Sequence, residues 1–232
     1  MIIDAKELGY KILNEHVKDS LGQGVLELVN VDGQRYIGIG LKEGVIKIKG
    51  VPGNDLGMFL DGASIFVDGD AEDGVGNTMN SGKIVIDGRA EDIVGYAMRG
   101  GSILIRENAG YRVGVCIKSF GESIPIIVVG GLVEDFLGEY MSGGRLIVLG
   151  KVGNYVGTGM HGGIIFVKGK VEDSQLGYGA VIEPMNDWDK NELKRCLSEF
   201  CEAFKMDLNE ILKGEFTKVV PKNKRPYGAK YS

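Results

Sequence analysis

The sequence predicts an all-β protein, a right-handed parallel β-helix of about seven 19-residue coils with helical N- and C-terminal flanks. One glycine recurs at a constant spacing, as from Gly57 to Gly76 and on to Gly95, apart from two longer steps. Four apolar columns keep the same register as that glycine. Glycine also makes up 38 of 232 residues, about 16%, where a share of roughly 7% is usual. The structural glycine column consists of Gly57, Gly76, Gly95, Gly114, Gly138, Gly157 and Gly177.

Each repeat is predicted to contribute a strand to a parallel sheet. The apolar columns begin at Ile46, Ile48, Leu56 and Leu60, and every position of the four columns is apolar in all seven repeats. The first two columns lie two residues apart, the period of a strand that places both side chains on one face. Each repeat is too short for two packed helices, and crossovers between parallel strands are nearly always right-handed. The four columns therefore predict the interior of the coil.

The glycine column has two possible physical reasons. It marks either a backbone with positive φ or a corner too tight for a Cβ atom. A five-residue insertion around residues 116–125 accounts for the longest step in the column.

The sequence before the repeats predicts an N-terminal helix and hairpin cap over residues 1–42. Asp4 is placed to cap a short helix near Lys6 to Lys18, and Glu7 would complete a capping box. Two strand-like runs, 25–31 and 35–39, flank Asp32-Gly33, which is a hairpin turn signal. Because the open ends of a β-helix expose strand edges, such a cap is needed there.

After the β-helix of residues 43–183, residues 184–232 predict helices and a basic tail. The apolar residues of the first helix are Leu193, Cys196, Leu197, Phe200 and Phe204, at helical spacing. A second short helix is predicted to start at Asp207 with Glu210 and to end at Gly214. The tail from Glu215 to Ser232 holds five Lys or Arg and one acid.

Composition and charge exclude several classes of function. The net charge of −5 argues against a general nucleic-acid binder. No apolar run approaches the length of a membrane span, and the N-terminus lacks the pattern of a signal peptide. Three cysteines do not make a disulfide framework, so a cytoplasmic location is the simplest expectation.

Motifs that resemble chemical sites have stronger structural interpretations. The segment 157–162 matches a dinucleotide-binding pattern, but its first glycine belongs to the glycine column. The cysteines have no metal-site spacing. His161 is interpreted as an exposed corner residue, since no nucleophile elbow accompanies it. The sequence therefore predicts no catalytic, cofactor-binding or metal-ligating residue.

A polar column leaves a metal alternative open. Carboxylates stacked along a coil are ligands that calcium accepts, whereas Asp and Asn also hold turns through their own backbone. The turn interpretation is favoured. The column consists of Asn54, Asp73, Asp92, Asp135, Asn154 and Asp173, interrupted by Tyr111.

An outward-facing apolar stripe is the candidate interface. It lies between the first two interior columns, so strand alternation points it away from the interior. Such a stripe is usually covered, either by the chain's own helix through Leu193, Leu197, Phe200 and Phe204, or by a partner subunit or a second copy near Phe66 or Phe166. After Lys47, the stripe consists of Phe66, Val85, Leu104, Val128, Ile147 and Phe166.

The repeats resemble the GXGXG-repeat family, on the segments 94–101 (VGYAMRGG) and 156–163 (VGTGMHGG). That family includes the C-terminal β-helix domain of the glutamate synthase large subunit and the β-helix subunit of formylmethanofuran dehydrogenase. Residues 3–5 with 13–15 look like the entry to the glutamate synthase domain. Residues 216–221 and 225–228 look like the tail of stand-alone archaeal-type versions.

The resemblance implies a non-catalytic scaffold between a glutaminase-type subunit and a synthase-type subunit that holds FMN and an iron–sulfur cluster. The expected partners are those two subunits, with possible self-association, and the chain itself is expected to carry no cofactor. Met1-Ile2 offers no N-terminal Cys nucleophile and three scattered Cys cannot hold a cluster. A subunit of a formylmethanofuran dehydrogenase-like enzyme and an independent hydrolase remain alternatives.

Overall fold

A computed structural model of the chain describes residues 1–20 and 24–223. Eleven strands form one sheet in the order β1-β2-β3-β4-β5-β6-β7-β8-β9-β11-β10. The strands are β1 Ile2–Asp4, β2 Val25–Asp32, β3 Val45–Val51, β4 Asp61–Asp68, β5 Ser81–Ile86, β6 Ser102–Ile105, β7 Ile126–Val129, β8 Ser142–Val148, β9 Gly162–Lys168, β10 Ala180–Glu183 and β11 Phe216–Pro221. The helices are α1 Tyr10–Ser20, α2 Asp187–Phe204 and α3 Leu208–Leu212, with a 3₁₀ turn at Asp173–Gln175.

The strands stack in parallel in the predicted register, so the predicted fold class is confirmed. Ile46 pairs with Ile65, Ile65 with Ile84, and Ile84 with Ile103. All but two members of the four predicted columns are at most 2% exposed. The two exceptions, Leu176 and Ala180, belong to the last coil. The interior of the solenoid is therefore a continuous stack of apolar side chains.

The glycine column combines both predicted reasons. Six of its seven members have φ between 65° and 71°. A Cβ at Gly57 would lie 2.6 Å from the Cδ1 of Ile84, and one at Gly138 would lie 2.8 Å from that of Ile165. Gly177 lacks the positive φ, but its Cβ would lie 2.5 Å from the Cα of Thr158. At each glycine of the column, the backbone lies too close to neighbouring atoms for a side chain to fit.

Positive φ extends beyond glycine at this corner, which the sequence pattern does not predict. In each coil as far as Gly157, three alternate residues are left-handed, as in Asp55, Gly57 and Phe59. The N–H groups of Asp55 and Phe59 donate to Asp73 and Asn77 of the next coil, whereas that of Gly57 donates to Ile37 of the preceding coil. The hydrogen bonds to the preceding and the next coil stabilise a backbone conformation that is unfavourable for L-residues. The non-glycine residues in this conformation, with φ of 52–67°, are Tyr36, Asp55, Phe59, Thr78, Ile93, Ala97, Arg112, Cys116, Phe136, Tyr140 and Tyr155.

The solenoid begins one coil earlier than predicted, which gives about eight turns, and the predicted N-terminal hairpin is wrong. β2 pairs in parallel with both β1 and β3, and residues 35–39 form no strand but lead into a turn at 37–40. Gly33 does turn the chain with φ of 75°. The turn leads into a coil corner because Ile37 and Gly38 lie one repeat length before Leu56 and Gly57 and occupy the same columns.

The N-terminal helix starts later than predicted. α1 begins at Tyr10, because Glu7 has φ of 66° and the Asp4 carboxylate accepts from the N–H of Lys6 in a tight turn. Leu13 and Val17 of α1 are buried in the interior cluster. α1 therefore closes the N-terminal end of the solenoid, although the predicted capping box does not form.

The C-terminal flank follows the predicted order. Asn186 caps α2 with a reciprocal hydrogen bond to Asp189, and Asp207 caps α3 by accepting from Asn209 and Glu210. The chain then returns as β11, which is antiparallel to β9 and β10. The last part of the basic tail, including residues 225–228 of the resemblance, lies outside the described residues. Within residues 1–20 and 24–223, no helix has both the length and the apolarity needed to cross a membrane.

Candidate functional site

The outward stripe forms one straight column on the sheet. Lys47 pairs with Phe66, Phe66 with Val85, and the column continues through each strand to Phe166. Lys218 of β11 pairs with Phe166 and extends it by one residue. The stripe thus has a lysine at each end and apolar side chains between.

Helix α2 covers most of this stripe. Its apolar side chains form a second hydrophobic cluster with the stripe, outside the solenoid interior. Five residues of the candidate interface are buried there, so the expectation of a partner contact at these positions, Phe166 included, is corrected. The amphipathic helix of the same chain is the cover. The five residues are Val85, Leu104, Val128, Ile147 and Phe166, each at most 6% exposed.

Carboxylates of α2 meet basic side chains that flank the stripe. Glu199 pairs with Lys83 and also accepts a hydrogen bond from the hydroxyl of Ser102. At the other end of the helix, Glu192 Oε1 lies 2.9 Å from Nε of Arg145. The Arg145 guanidinium also lies 5.5 Å from the centre of the Trp188 ring. The two ion pairs therefore join α2 to β5 and to β8.

A buried ion pair ties the start of α2 to β11. Lys218 Nζ lies 2.9 Å from Asp189 Oδ2 and 3.3 Å from Glu183 Oε2, and the Lys218 and Asp189 side chains are 7% and 3% exposed. Burial acts to lower the pKa of Lys218, but the hydrogen bonds to Asp189 and Glu183 outweigh it and raise that pKa. The Lys218 ammonium is therefore charged wherever the protein is folded near neutral pH.

The contribution of Glu192 to stability is expected to disappear in acid. The hydrogen bond from Arg195 and the charge of Arg145 outweigh burial and lower the pKa of Glu192. Stability from such a group is complete above its unfolded pKa, about 4.3, and is lost as pH falls through the lower folded pKa. Glu192→Gln should thus cost about 1–3 kcal/mol at pH 7.

Urea denaturation of the parent and of Glu192→Gln from pH 7 to pH 3 measures this effect. The difference in free energy of unfolding should shrink below about pH 4. Glu122→Gln, at an exposed carboxylate in the insertion, is the control and should change little. A difference that stays constant with pH would show that the charge of Glu192 contributes nothing.

Only one end of the candidate interface stays accessible. Phe66 is 37% exposed, because α2 ends at Phe204 and does not cover it. Beyond that end lies a groove of about 500 Å³ between α2 and the outer face of β3, β4 and β5. This groove, called the Phe66 groove below, is lined by Lys47, Ile48, Lys49, Phe66, Val67, Asp68, Val85, Asp87, Arg106, Ala203, Phe204 and Lys205.

The polar column holds the coils together through the backbone. Asp73 accepts from the N–H of Asp92, Asp92 from that of Tyr111, and Asp135 from that of Asn154, at 2.7–3.0 Å. Each of these three carboxylates therefore joins its own coil to the next, which differs from the turn interpretation, because the donor lies 19 residues further along the chain and not in the same turn. Among the described residues, no group of three or more His, Cys, Asp or Glu side chains is placed to hold a metal ion.

The other residues considered from the sequence lie in structural positions. Gly157 and Gly159 are left-handed corner residues, and the backbone N–H of His161 donates to Met141 of the preceding coil. Cys196 and Cys201 are buried on α2, and burial raises the pKa of Cys196 to about 11. Such a thiol is a poor nucleophile near neutral pH.

An aromatic cluster at the left-handed corner is not among the sequence predictions. The rings of Phe136 and Tyr155 stack with centroids 4.7 Å apart, and the Arg112 guanidinium lies 5.0 Å from the Phe136 centroid. Arg112 also pairs with Glu139 at 2.6 Å. Phe136 and Tyr155 each lie two residues before a glycine of the column. This shared position in neighbouring repeats is the sequence pattern that predicts their contact.

Comparison with known proteins identifies the family. The GXGXG motif family model matches residues 10–223. An uncharacterized protein of Methanocaldococcus jannaschii is 45% identical over all of this chain and 96% of its own length. The matched region includes α1, the solenoid from β2 onwards and the helices that cover the sheet. The chain belongs to the GXGXG motif family.

Proposed function

We propose that the chain is the non-catalytic scaffold subunit of a glutamate synthase-type complex. It would hold a glutaminase-type subunit and an FMN- and iron–sulfur-containing synthase-type subunit together in glutamate biosynthesis. The proposal is supported by the family and by the resemblance of its repeats to the β-helix domain of the glutamate synthase large subunit.

The observation that carries the proposal is the continuous apolar interior. Close-packed interiors are stiff and transmit strain, and here one runs through every coil from β2 to β9. With β1 included, the nine parallel strands β1 to β9 at a spacing of about 4.8 Å make a rod of roughly 38 Å. A rod of this kind keeps two bound subunits at a fixed separation, which is the task of a scaffold.

The surface offers chemistry suited to protein contacts. Tyr and Arg are enriched in protein interfaces, and the left-handed corner exposes Tyr96, Tyr140 and Tyr155. Arg112 lies over the Phe136 ring, on which Tyr155 stacks. The Phe66 groove lies on the outer face of the sheet. The chain thus presents two chemically distinct faces that are held by one rigid core.

Reconstitution with the glutaminase-type and synthase-type subunits of the same organism tests the proposal. Glutamine-dependent glutamate formation should require the chain, whereas ammonia-dependent formation by the synthase-type subunit should not. The chain alone should bring neither FMN nor iron and should have no activity.

The proposal would be wrong if glutamine-dependent activity were the same without the chain. Stable assembly with formylmethanofuran dehydrogenase-type subunits instead would favour that enzyme. Turnover of an ester substrate by the purified chain would favour an independent hydrolase.

A further inference from the structure

The cover on the apolar stripe is shorter than the stripe. α2 has 18 residues, and at 1.5 Å per residue it is about 27 Å long. From β3 to β11 the sheet has seven strand spacings, or roughly 34 Å. The helix starts against β11 through Asp189 and therefore ends before it reaches β3 and β4.

The uncovered end continues the chemistry of the covered part. Under α2, sheet cations pair with helix carboxylates, as Lys83 does with Glu199 and Arg145 with Glu192. Past the end of α2, Lys47 and Lys49 are exposed, and neither makes an ion pair with another described residue. Phe66 stands between Lys47 and the buried Val85 in the column. The pattern of an apolar strip with flanking cations is thus present without its helix.

The charge of the groove points to an acidic partner. Four cationic side chains line it, Lys47, Lys49, Arg106 and Lys205, against the two carboxylates of Asp68 and Asp87. Arg106 already pairs with Asp87. The groove is therefore locally positive in a chain with a net charge of −5. Its volume of about 500 Å³ suits a few inserted side chains rather than a whole domain.

We propose that the Phe66 groove binds an acidic amphipathic helix of a partner subunit, which extends the cover of the stripe beyond the end of α2. Apolar side chains of that helix pack on Phe66 and on Phe204, and its carboxylates face Lys47 and Lys49. The arrangement reproduces what α2 does over the neighbouring strands. The inference rests on the proposed function for the identity of the partner, and it names the surface that binds it.

Binding of the full-length chain to the purified glutaminase-type and synthase-type subunits is the first test. Phe66→Glu should weaken binding to one of them at least tenfold, because it places a charge in the apolar contact. Phe120→Glu, at an exposed phenylalanine in the insertion that lies outside the groove, is the matched control and should keep binding. Unchanged binding by Phe66→Glu, or an equal loss with Phe120→Glu, would overturn the proposal.

A charge-reversal variant keeps the test valid if Phe66→Glu fails to fold. Lys47→Glu combined with Lys49→Glu changes only exposed side chains and should also weaken binding about tenfold at low salt. The loss should diminish as salt rises. Lys118→Glu with Lys151→Glu makes the same change in net charge at exposed positions outside the groove. Equal binding by both double variants would overturn the proposal.

Photo-crosslinking separates failure of this inference from failure of the proposed function. If the parent chain binds neither subunit, the proposed function fails. The groove is then probed in native extract with Phe66→p-benzoylphenylalanine, using the same substitution at Phe120 as background, and the attached peptide is identified by mass spectrometry. An acidic helical segment of another protein supports the inference. A second copy of this chain, a basic or non-helical segment, or no product above background overturns it.

Discussion

Val94→Asp is expected to abolish soluble folding. Val94 is completely buried at the centre of the third interior column. Burying an unpaired polar group costs about 2–7 kcal/mol, and an ionised carboxylate costs more. Because the stability of a domain is about 5–15 kcal/mol, one such group removes much or all of it. Soluble yield and the presence of a cooperative unfolding transition measure the effect.

Val94→Ala separates the charge from the lost volume. Removing two methyl groups from this site should cost about 2–3 kcal/mol through lost burial and the cavity left behind, so this variant should still fold. If Val94→Asp unfolds with the parent's midpoint, the third column faces outward and the interior has been assigned wrongly.

Gly95→Ala is expected to have the second-largest effect, about 2–5 kcal/mol, the sum of two costs. Gly95 has φ of 68°, and a Cβ there would overlap with the Cδ1 of Ile127 two coils further along. A left-handed alanine costs about 1–2 kcal/mol, and overpacking a dense interior adds about 1–3 kcal/mol. Urea denaturation at neutral pH gives the difference in free energy of unfolding.

Gly179→Ala is the matched control for the left-handed backbone alone. Gly179 has φ of 89°, but no atom lies within 4 Å of its Cβ position. The free energy of unfolding of Gly179→Ala should therefore fall by only about 1–2 kcal/mol. Equal losses in the two variants would mean that Ile127 moves aside freely and that the glycine column is required only for its backbone conformation.

The solenoid is predictable from the repeat because every coil packs the same types of residue at the same positions. Identical columns at Ile46, Leu56 and Gly57 recur in each turn, so the interior and the corner follow from spacing. The first coil escapes this prediction because its members are less regular. Leu26 lies slightly more than one repeat length before its partner Ile46. The Asp32-Gly33 pair is typical of a hairpin turn, but in this coil it forms a corner.

The candidate interface is predictable in position but not in its cover. Strand alternation places Phe66 and Phe166 on the outer face, and helical spacing gives α2 its apolar side. Whether α2 covers Phe66 or Phe166 depends on where the helix starts along the sheet. At that start, Asp189 of α2 forms an ion pair with Lys218 of β11, which joins residues far apart in sequence and has no local pattern.

The left-handed conformation at residues such as Ile93 also has no signal in the sequence. A β-branched residue disfavours positive φ, so no propensity indicates it. It is imposed by backbone hydrogen bonds, since the N–H of Ile93 donates to Tyr111 of the next coil.

The path of α2 along the sheet has a consequence for cooperativity. A stack of repeats that touch only their neighbours unfolds as a one-dimensional array, in which any segment can open by itself. α2 contacts side chains from β5 to β9, so those coils share one long-range element and should open together. β2, β3 and β4 lie outside its reach and depend on neighbouring coils and on α1. Amide hydrogen exchange should therefore divide the rod into a slowly exchanging block beneath the helix and an N-terminal block that opens at lower free energy.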